Sequence, residues 1–171
     1  MPTERITTPG AMDVRPAEVG ELDQIAKLWY DGWQDAHATI VPPELAALRT
    51  LTSFRNRLEK GLGKVRVTGP LGEPRGFYML KHDELDQFFV AAHARGSGVA
   101  ATLLLDAETR LVEGGVQTAW LACAIGNERA ARFYEKHGWC RVGTMVHHAE
   151  APNGTYALET WRYEKSLTRS A

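Results

Sequence analysis

Residues 88–112, FFVAAHARGSGVAATLLLDAETRLV, run from an apolar β-prone segment, Phe88-Phe89-Val90, through a glycine turn, Arg95-Gly96-Ser97-Gly98, into a stretch with helical periodicity. A strand that turns through glycines into a helix presents unpaired backbone N–H groups and the positive end of a helix dipole, which is a phosphate-binding geometry. The helix, Val99 to Val112, is closed by Gly114-Gly115, and Val116 to Ala124 follows as a strong strand. Strand, helix, strand implies a parallel pair with a right-handed crossover, so the fold class is α/β.

The flanking sequence supplies the remaining layers. Met12 to Pro16 reads as a short first strand and Glu21 to Gly32 as a first helix, with Leu22, Ile25, Ala26, Leu28 and Trp29 at helical spacing. Trp33, His37 and Pro42-Pro43 break regularity before a second helical stretch, interrupted or continuous, from about Glu44 to Glu59. Lys64 to Thr68 and Gly76 to Lys81 flank the hairpin connection GPLGEP, and Leu85 to Val90 completes a three-stranded meander. Asn127 caps a helix through Ala130, Phe133, Tyr134 and His137 that stops at Gly138. Arg141 to Glu150 and Thr155 to Lys165 form a last hairpin around Pro152-Asn153-Gly154. The expectation is a mixed sheet of about seven strands with about four helices.

Composition narrows the function. With 171 residues, 44% of them hydrophobic, the chain fits one domain that buries roughly 70% of its unfolded surface. Twenty Lys and Arg balance 21 Asp and Glu, and no basic run exists to track a phosphate backbone, so nucleic acid is not an expected partner. Cys123 and Cys140 have no C-x-x-C spacing, which argues against zinc ribbons and thioredoxin chemistry and for a reducing compartment. His147 and His148 are adjacent on a strand and face opposite ways, a poor metal pair, so no metal is expected. No apolar run approaches the roughly 20 residues that span a bilayer, and MPTERITTPGAM lacks the apolar core of a secretion signal. A soluble, cytoplasmic protein without membrane contact is expected, and a homodimer is compatible with the reading.

GSGVAA also satisfies the dinucleotide-binding pattern G-x-G-x-x-A. Two spacings speak against that fold: Ala91 to Arg95 intervene between strand and first glycine, and the next strand ends in Leu121-Ala122-Cys123-Ala124 with no acidic ribose clamp. The chain instead resembles the GNAT superfamily of acyl-CoA-dependent N-acetyltransferases. Arg95, Gly98 and Ala100 match that family's [QR]-x-x-G-x-[GA] motif, and ELDQFFV is similar to its fourth strand. Asn127, Ala130, Tyr134, Gly138 and Trp139 match a second motif about thirty residues on, and VRPAEVGELDQIAKLW extends the likeness towards the start. The departures are Ala92, where a proline is often seen, and a fourth strand on which no glutamate stands out as a base.

The resemblance implies a GNAT-like domain over residues 12–166, a flexible lead-in at 1–11 and a tail at 167–171, in a mostly antiparallel sheet whose fourth and fifth strands splay apart. Acetyl-CoA is the implied co-substrate, its pyrophosphate cradled by Arg95, Gly96, Ser97, Gly98, Val99 and Ala100 and its pantetheine bonded by Asn127 and Val90. The Val90 amide would meet the thioester carbonyl, and Tyr134 would protonate the leaving thiolate. Asn127 has a competing role as helix cap, and Tyr134 has one as a core aromatic. The proton of the attacking amine has four candidate acceptors, Asp86, Glu84, His82 and His37, directly or through water. The expected activity is direct acetyl transfer to a primary amine of a small molecule or peptide N-terminus, with Trp33, His37 and Trp161 as candidate lining of its pocket. The rival is a non-catalytic acyl-CoA-binding module.

Overall fold

The computed structural model describes residues 13–167, so the expected lead-in, Met12 and residues 168–171 lie outside the described residues. In chain order the elements are β1 (Val14–Pro16), α1 (Leu22–His37), α2 (Pro43–Leu48), α3 (Leu51–Lys60), β2 (Val65–Thr68), β3 (Gly76–Lys81), β4 (Glu84–Val90), α4 (Val99–Glu113), β5 (Thr118–Ala124), α5 (Glu128–Lys136), β6 (Cys140–Ala151) and β7 (Gly154–Ser166). The strands form one seven-stranded sheet in the order β1-β2-β3-β4-β5-β7-β6. Every neighbouring pair is antiparallel except β4 with β5, which is parallel, as the strand–helix–strand pattern requires.

One helical boundary differs from the sequence expectation, and one open alternative is settled. Helix α1 does not stop at Gly32 but continues to His37, which puts Trp33 and His37 in phase with Trp29 on its sheet-facing side. Gly32 is a packing residue: a Cβ there would lie 2.9 Å from Cδ1 of Phe89, so the absent side chain lets helix and sheet approach. The second helical stretch divides at Arg49-Thr50, where the Thr50 hydroxyl accepts the Ser53 N–H at 3.1 Å and starts α3. The sheet therefore carries five α-helices rather than four.

Each face of the sheet is covered. Ile25, Trp29, Phe54, Leu58, Val67 and Phe77 join α1 and α3 to one face, while Leu103, Leu104, Leu111, Leu121, Trp139 and Tyr163 join α4 and α5 to the other. Burying side chains of this size contributes about 1.5–3 kcal/mol each. Strand β4 belongs to both clusters, since Phe89 stacks on Phe77 at 6.0 Å and Phe88 stacks on Phe133 at 5.7 Å on the opposite face. Its pairing with β3 steps from Met79↔Gln87 to Leu80↔Leu85, so Asp86 is an extra residue in a β-bulge.

Helix α4 is held down by Leu103, which is 0% exposed and packs where Gly76 leaves room on β3. Leu103→Ala is expected to lower the unfolding free energy by about 3 kcal/mol. Urea titration of the two proteins, with equal m-values, is the check; a loss under 1 kcal/mol would mean that α4 is seated by other contacts.

Candidate active site

The parallel pair is a pair at one end only. β4 and β5 share a single register position, Glu84↔Trp120, and Asp83 fastens that end by accepting the Trp120 backbone N–H at 3.1 Å and its indole N–H at 3.0 Å. Beyond it β5 turns to β7, with which every residue from Thr118 to Ala124 is paired. The splay expected of the fourth and fifth strands is therefore present. The Ala91 N–H donates to the Arg75 carbonyl on the β3 side at 2.7 Å, and strand amides alternate, so the N–H and C=O of Val90 point into the gap.

The glycine turn stands beside the open end of this gap. Gly96 (φ 78°) and Gly98 (φ 86°) both hold left-handed conformations that favour glycine. Ser97 folds back on Ala94 with both its N–H and its hydroxyl. The first helical bond of α4 runs from the Thr102 N–H to the Gly98 carbonyl at 3.1 Å, which leaves the amides of Val99, Ala100 and Ala101 without intrahelical acceptors. The Arg95 guanidinium donates to Asp35 on α1 at 2.7 Å, and Arg129 at the start of α5 donates to the same carboxylate at 3.1 Å. Arg95 and then Arg129 hold the Asp35 carboxyl below its ordinary pKa. Neither Asp35 nor Arg129 carried a signal in the sequence, because the bridge spans three separate elements.

A cavity of about 230 Å³ reaches the gap from the α1–α3 side. Tyr134 borders it, 8% exposed, with its ring edge-on to Phe88 at 6.3 Å and to Trp139 at 6.2 Å. It is thus a core aromatic whose hydroxyl nonetheless forms no hydrogen bond among the described residues. Burial, and next the nearby Cys123, push its phenol above the ordinary pKa, so it holds its proton at neutral pH. Asn127 caps α5 by accepting the Ala130 N–H at 3.4 Å through Oδ1, and it also lines the cavity. The cap uses Oδ1 alone and does not occupy its amide N–H groups.

Three of the four candidate proton acceptors meet at this cavity. Glu84, 6% exposed, has its carboxyl pushed up to about 7 by burial and then by Asp86. Asp86, delivered inward by the bulge, is also raised by burial, against the pull of Arg57. Burial pushes the His37 imidazole down to about 4. His82 sits exposed in the β3–β4 turn with φ 55° and is not part of the lining. Trp33 lines the cavity, whereas Trp161 packs on the α5 face beneath Arg141, whose guanidinium lies 3.7 Å from the ring centroid. Arg49, Arg57, Lys81, Gln87, Glu150 and Thr160 were not singled out in the sequence and also line the cavity, as do His147 and His148. Among the described residues no group of His, Cys, Asp and Glu is arranged to hold a metal ion.

Residues 68–139, which span β4, the glycine turn and α5, match the family model for the acetyltransferase (GNAT) family. No curated protein matches the chain in sequence. Among solved structures the chain is similar to a GCN5-related N-acetyltransferase from Rhodopseudomonas palustris, with 20% identity, TM-score 0.68, and coverage of 90% of this chain and 94% of that one. It is also similar to the ribosomal-protein-alanine N-acetyltransferase of Brucella melitensis (19% identity, TM-score 0.67, coverage 90% and 99%). A third similar structure is the PaiA N-acetyltransferase of Thermoplasma acidophilum in complex with coenzyme A (16% identity, TM-score 0.63, coverage 90% and 98%). Residues 68–139 thus match the GNAT acetyltransferase family model, and most of the chain shares the fold of solved N-acetyltransferases.

Proposed function

We propose that the protein is an acetyl-CoA-dependent N-acetyltransferase that moves the acetyl group directly to a primary amine of a small molecule. The observation that carries this reading is the one-ended β4–β5 pair, which leaves the Val90 amide facing an open gap that ends at the glycine turn. The residues fit the co-substrate: the left-handed glycines expose a row of free amides suited to a pyrophosphate, and the outer edge of β4 offers strand-like bonds to pantetheine. Arg95 would contribute by releasing Asp35 or by sharing it, and Asn127 through its unused amide N–H groups. Bound acetyl-CoA supplies the acetyl thioester and, after transfer, a thiol.

The chain's own groups divide the remaining work. The Val90 N–H is a fixed backbone donor for an oxygen that gains negative charge. Tyr134 holds a proton at Oη, available to a departing sulfur. Glu84, coupled to Asp86, takes the proton that an ammonium must lose before it can attack, directly or through water, and its pKa of about 7 suits that task at neutral pH. His37, pushed down to about 4, is the weaker base and serves better as a neutral wall.

Gly98→Val should abolish acetyl-CoA binding by calorimetry, because its φ of 86° is costly for a β-branched residue and a side chain would block the cradle. Unchanged affinity in the folded variant would remove the cradle from the mechanism. Tyr134→Phe should lower kcat by about 10²-fold and leave acetyl-CoA affinity unchanged. Equal turnover, with chemistry rate-limiting, would return Tyr134 to the core; a wild type that binds acetyl-CoA and acetylates no amine would favour a binding module.

For Glu84 the pH dependence has a definite sign. A protonated carboxyl cannot accept a proton, so kcat/KM should fall as pH falls through about 7, and Glu84→Gln should remove that limb. Because burial raises the folded-state pKa above the ordinary carboxylate value of 4.5, the contribution of Glu84 to stability is fully present below about 4.5 and is lost as pH rises through about 7. Glu84→Gln should therefore raise the melting temperature at pH 8 while lowering activity. A less stable variant at pH 8, or an unaltered pH–rate profile, would exclude Glu84 as the base.

A further inference from the structure

The cavity wall opposite β4 contains an imbalance of charge. Arg49, at the end of α2, is 6% exposed, yet among the described residues its guanidinium donates one hydrogen bond, from Nη1 to the Glu150 carbonyl at 2.6 Å. It forms no ion pair among the described residues. Arg57, on α3, lies over the Trp29 ring at 4.5 Å and gives only its Nε to the Glu150 carboxylate, at 3.1 Å. That carboxylate is 54% exposed, and Asp86 is the second acid that acts on Arg57. Two guanidiniums thus border one cavity with most of their N–H groups unused by the protein.

Buried arginines repel each other and lose hydration, and a fold that tolerates them without a full set of acceptors leaves room for a ligand to supply one. The planar guanidinium fork matches a carboxylate with two parallel bonds. On β4 stand Glu84 and Asp86, with Lys81 in the same lining and Arg57 the cation that acts most on Asp86. The cavity thus offers guanidiniums from the α2 end and α3 and carboxylates from β4, with Trp33, Val41, Leu45 and Leu158 as apolar lining. The volume of about 230 Å³ suits a compact molecule.

Resting on the acetyltransfer reading, we propose that the acceptor is a small amino-carboxylate, a free amino acid or close analogue, whose carboxylate is held by Arg49 and Arg57 while its amine faces Glu84, Asp86 and the open edge of β4. A peptide N-terminus fits less well, since its first α-carboxylate is already an amide. Glu150 competes for Arg57 in the free protein and yields it when the acceptor binds.

The test is calorimetric titration of the full chain, loaded with coenzyme A, by free amino acids and by their amides and methyl esters, alongside thiol release from acetyl-CoA with the same compounds and with phosphoethanolamine. Free amino acids should bind and turn over at least about 10-fold better than their amides, as expected when charge-assisted bonds are lost. Arg57→Met should erase that preference. Glu150→Gln, a change at an exposed side chain that leaves the fold in place, should tighten amino-acid binding by freeing Arg57, an effect that a structural role for Arg57 does not produce. Amides or esters that bind and react as well as free acids would overturn the proposal and leave acetyl transfer standing, and preference for phosphoethanolamine would assign the arginines to a phosphate. Carboxylate-dependent binding without turnover of any amine would keep the arginine site and overturn the transfer reading. Binding of none of these compounds would overturn the proposal.

Discussion

Everything at this site depends on one missing set of hydrogen bonds. Parallel strands joined by a crossover helix normally pair along their length, and backbone groups left unpaired and dry cost about 1–3 kcal/mol each. Here β4 and β5 meet at Glu84↔Trp120 and then part, while β4 stays paired with β3 and β5 with β7 on their other edges. Asp83 clamps the closed end, so the divergence begins at a fixed point rather than sliding along the strands. The bulge at Asp86 adds local twist to β4 just above that clamp. What results is a sheet edge inside a sheet, where an extended ligand can supply the bonds that the protein withholds.

The raised pKa of Tyr134 looks at first like an obstacle to its proposed role, since a weaker acid donates less readily. The burial that raises the phenol would raise a thiolate formed in the same slot, because desolvation disfavours every anion that it encloses. What governs the transfer is the difference between the two groups, which shared burial leaves largely intact. Burial also ensures that the proton is present at neutral pH. The same reasoning separates the bases: burial lowers His37, whose charged form is the protonated one, and raises Glu84, whose charged form is the ionised one.

Much of this was legible in the sequence because it is local. The turn Arg95-Gly96-Ser97-Gly98 and the Asn127 cap are set by residues a few positions apart, and their conformations follow from glycine and asparagine chemistry. Gly32 misled because a helix-stopping glycine and a packing glycine look alike until the ring of Phe89, far along the chain, is brought against it. The bulge was invisible for a related reason: ELDQFFV alternates well enough as a plain strand, and only its register with β3 shows Asp86 to be extra. Arg49 and Arg57 read as ordinary helix-surface cations, and their burial depends on β6 arriving about a hundred residues later with Glu150.

The sheet also explains why proton donor and proton acceptor need not interfere. Tyr134 belongs to the packing on the α4–α5 face, whereas Asp86 looks towards Arg57 on the α1–α3 face. Across an unbroken sheet such groups would be separated by a layer of paired backbone. At the β4–β5 gap that layer is absent, and the cavity runs from Arg57 and Asp86 through to Asn127 and Tyr134. In the proposed reaction an amine entering from one face and a thiol leaving on the other meet only there, so the acid and the base each address one reactant. Two carboxylates on β4 and a phenol on α5 thus line one cavity while each keeps its own surroundings, Tyr134 among Phe88 and Trp139 and Asp86 towards Arg57.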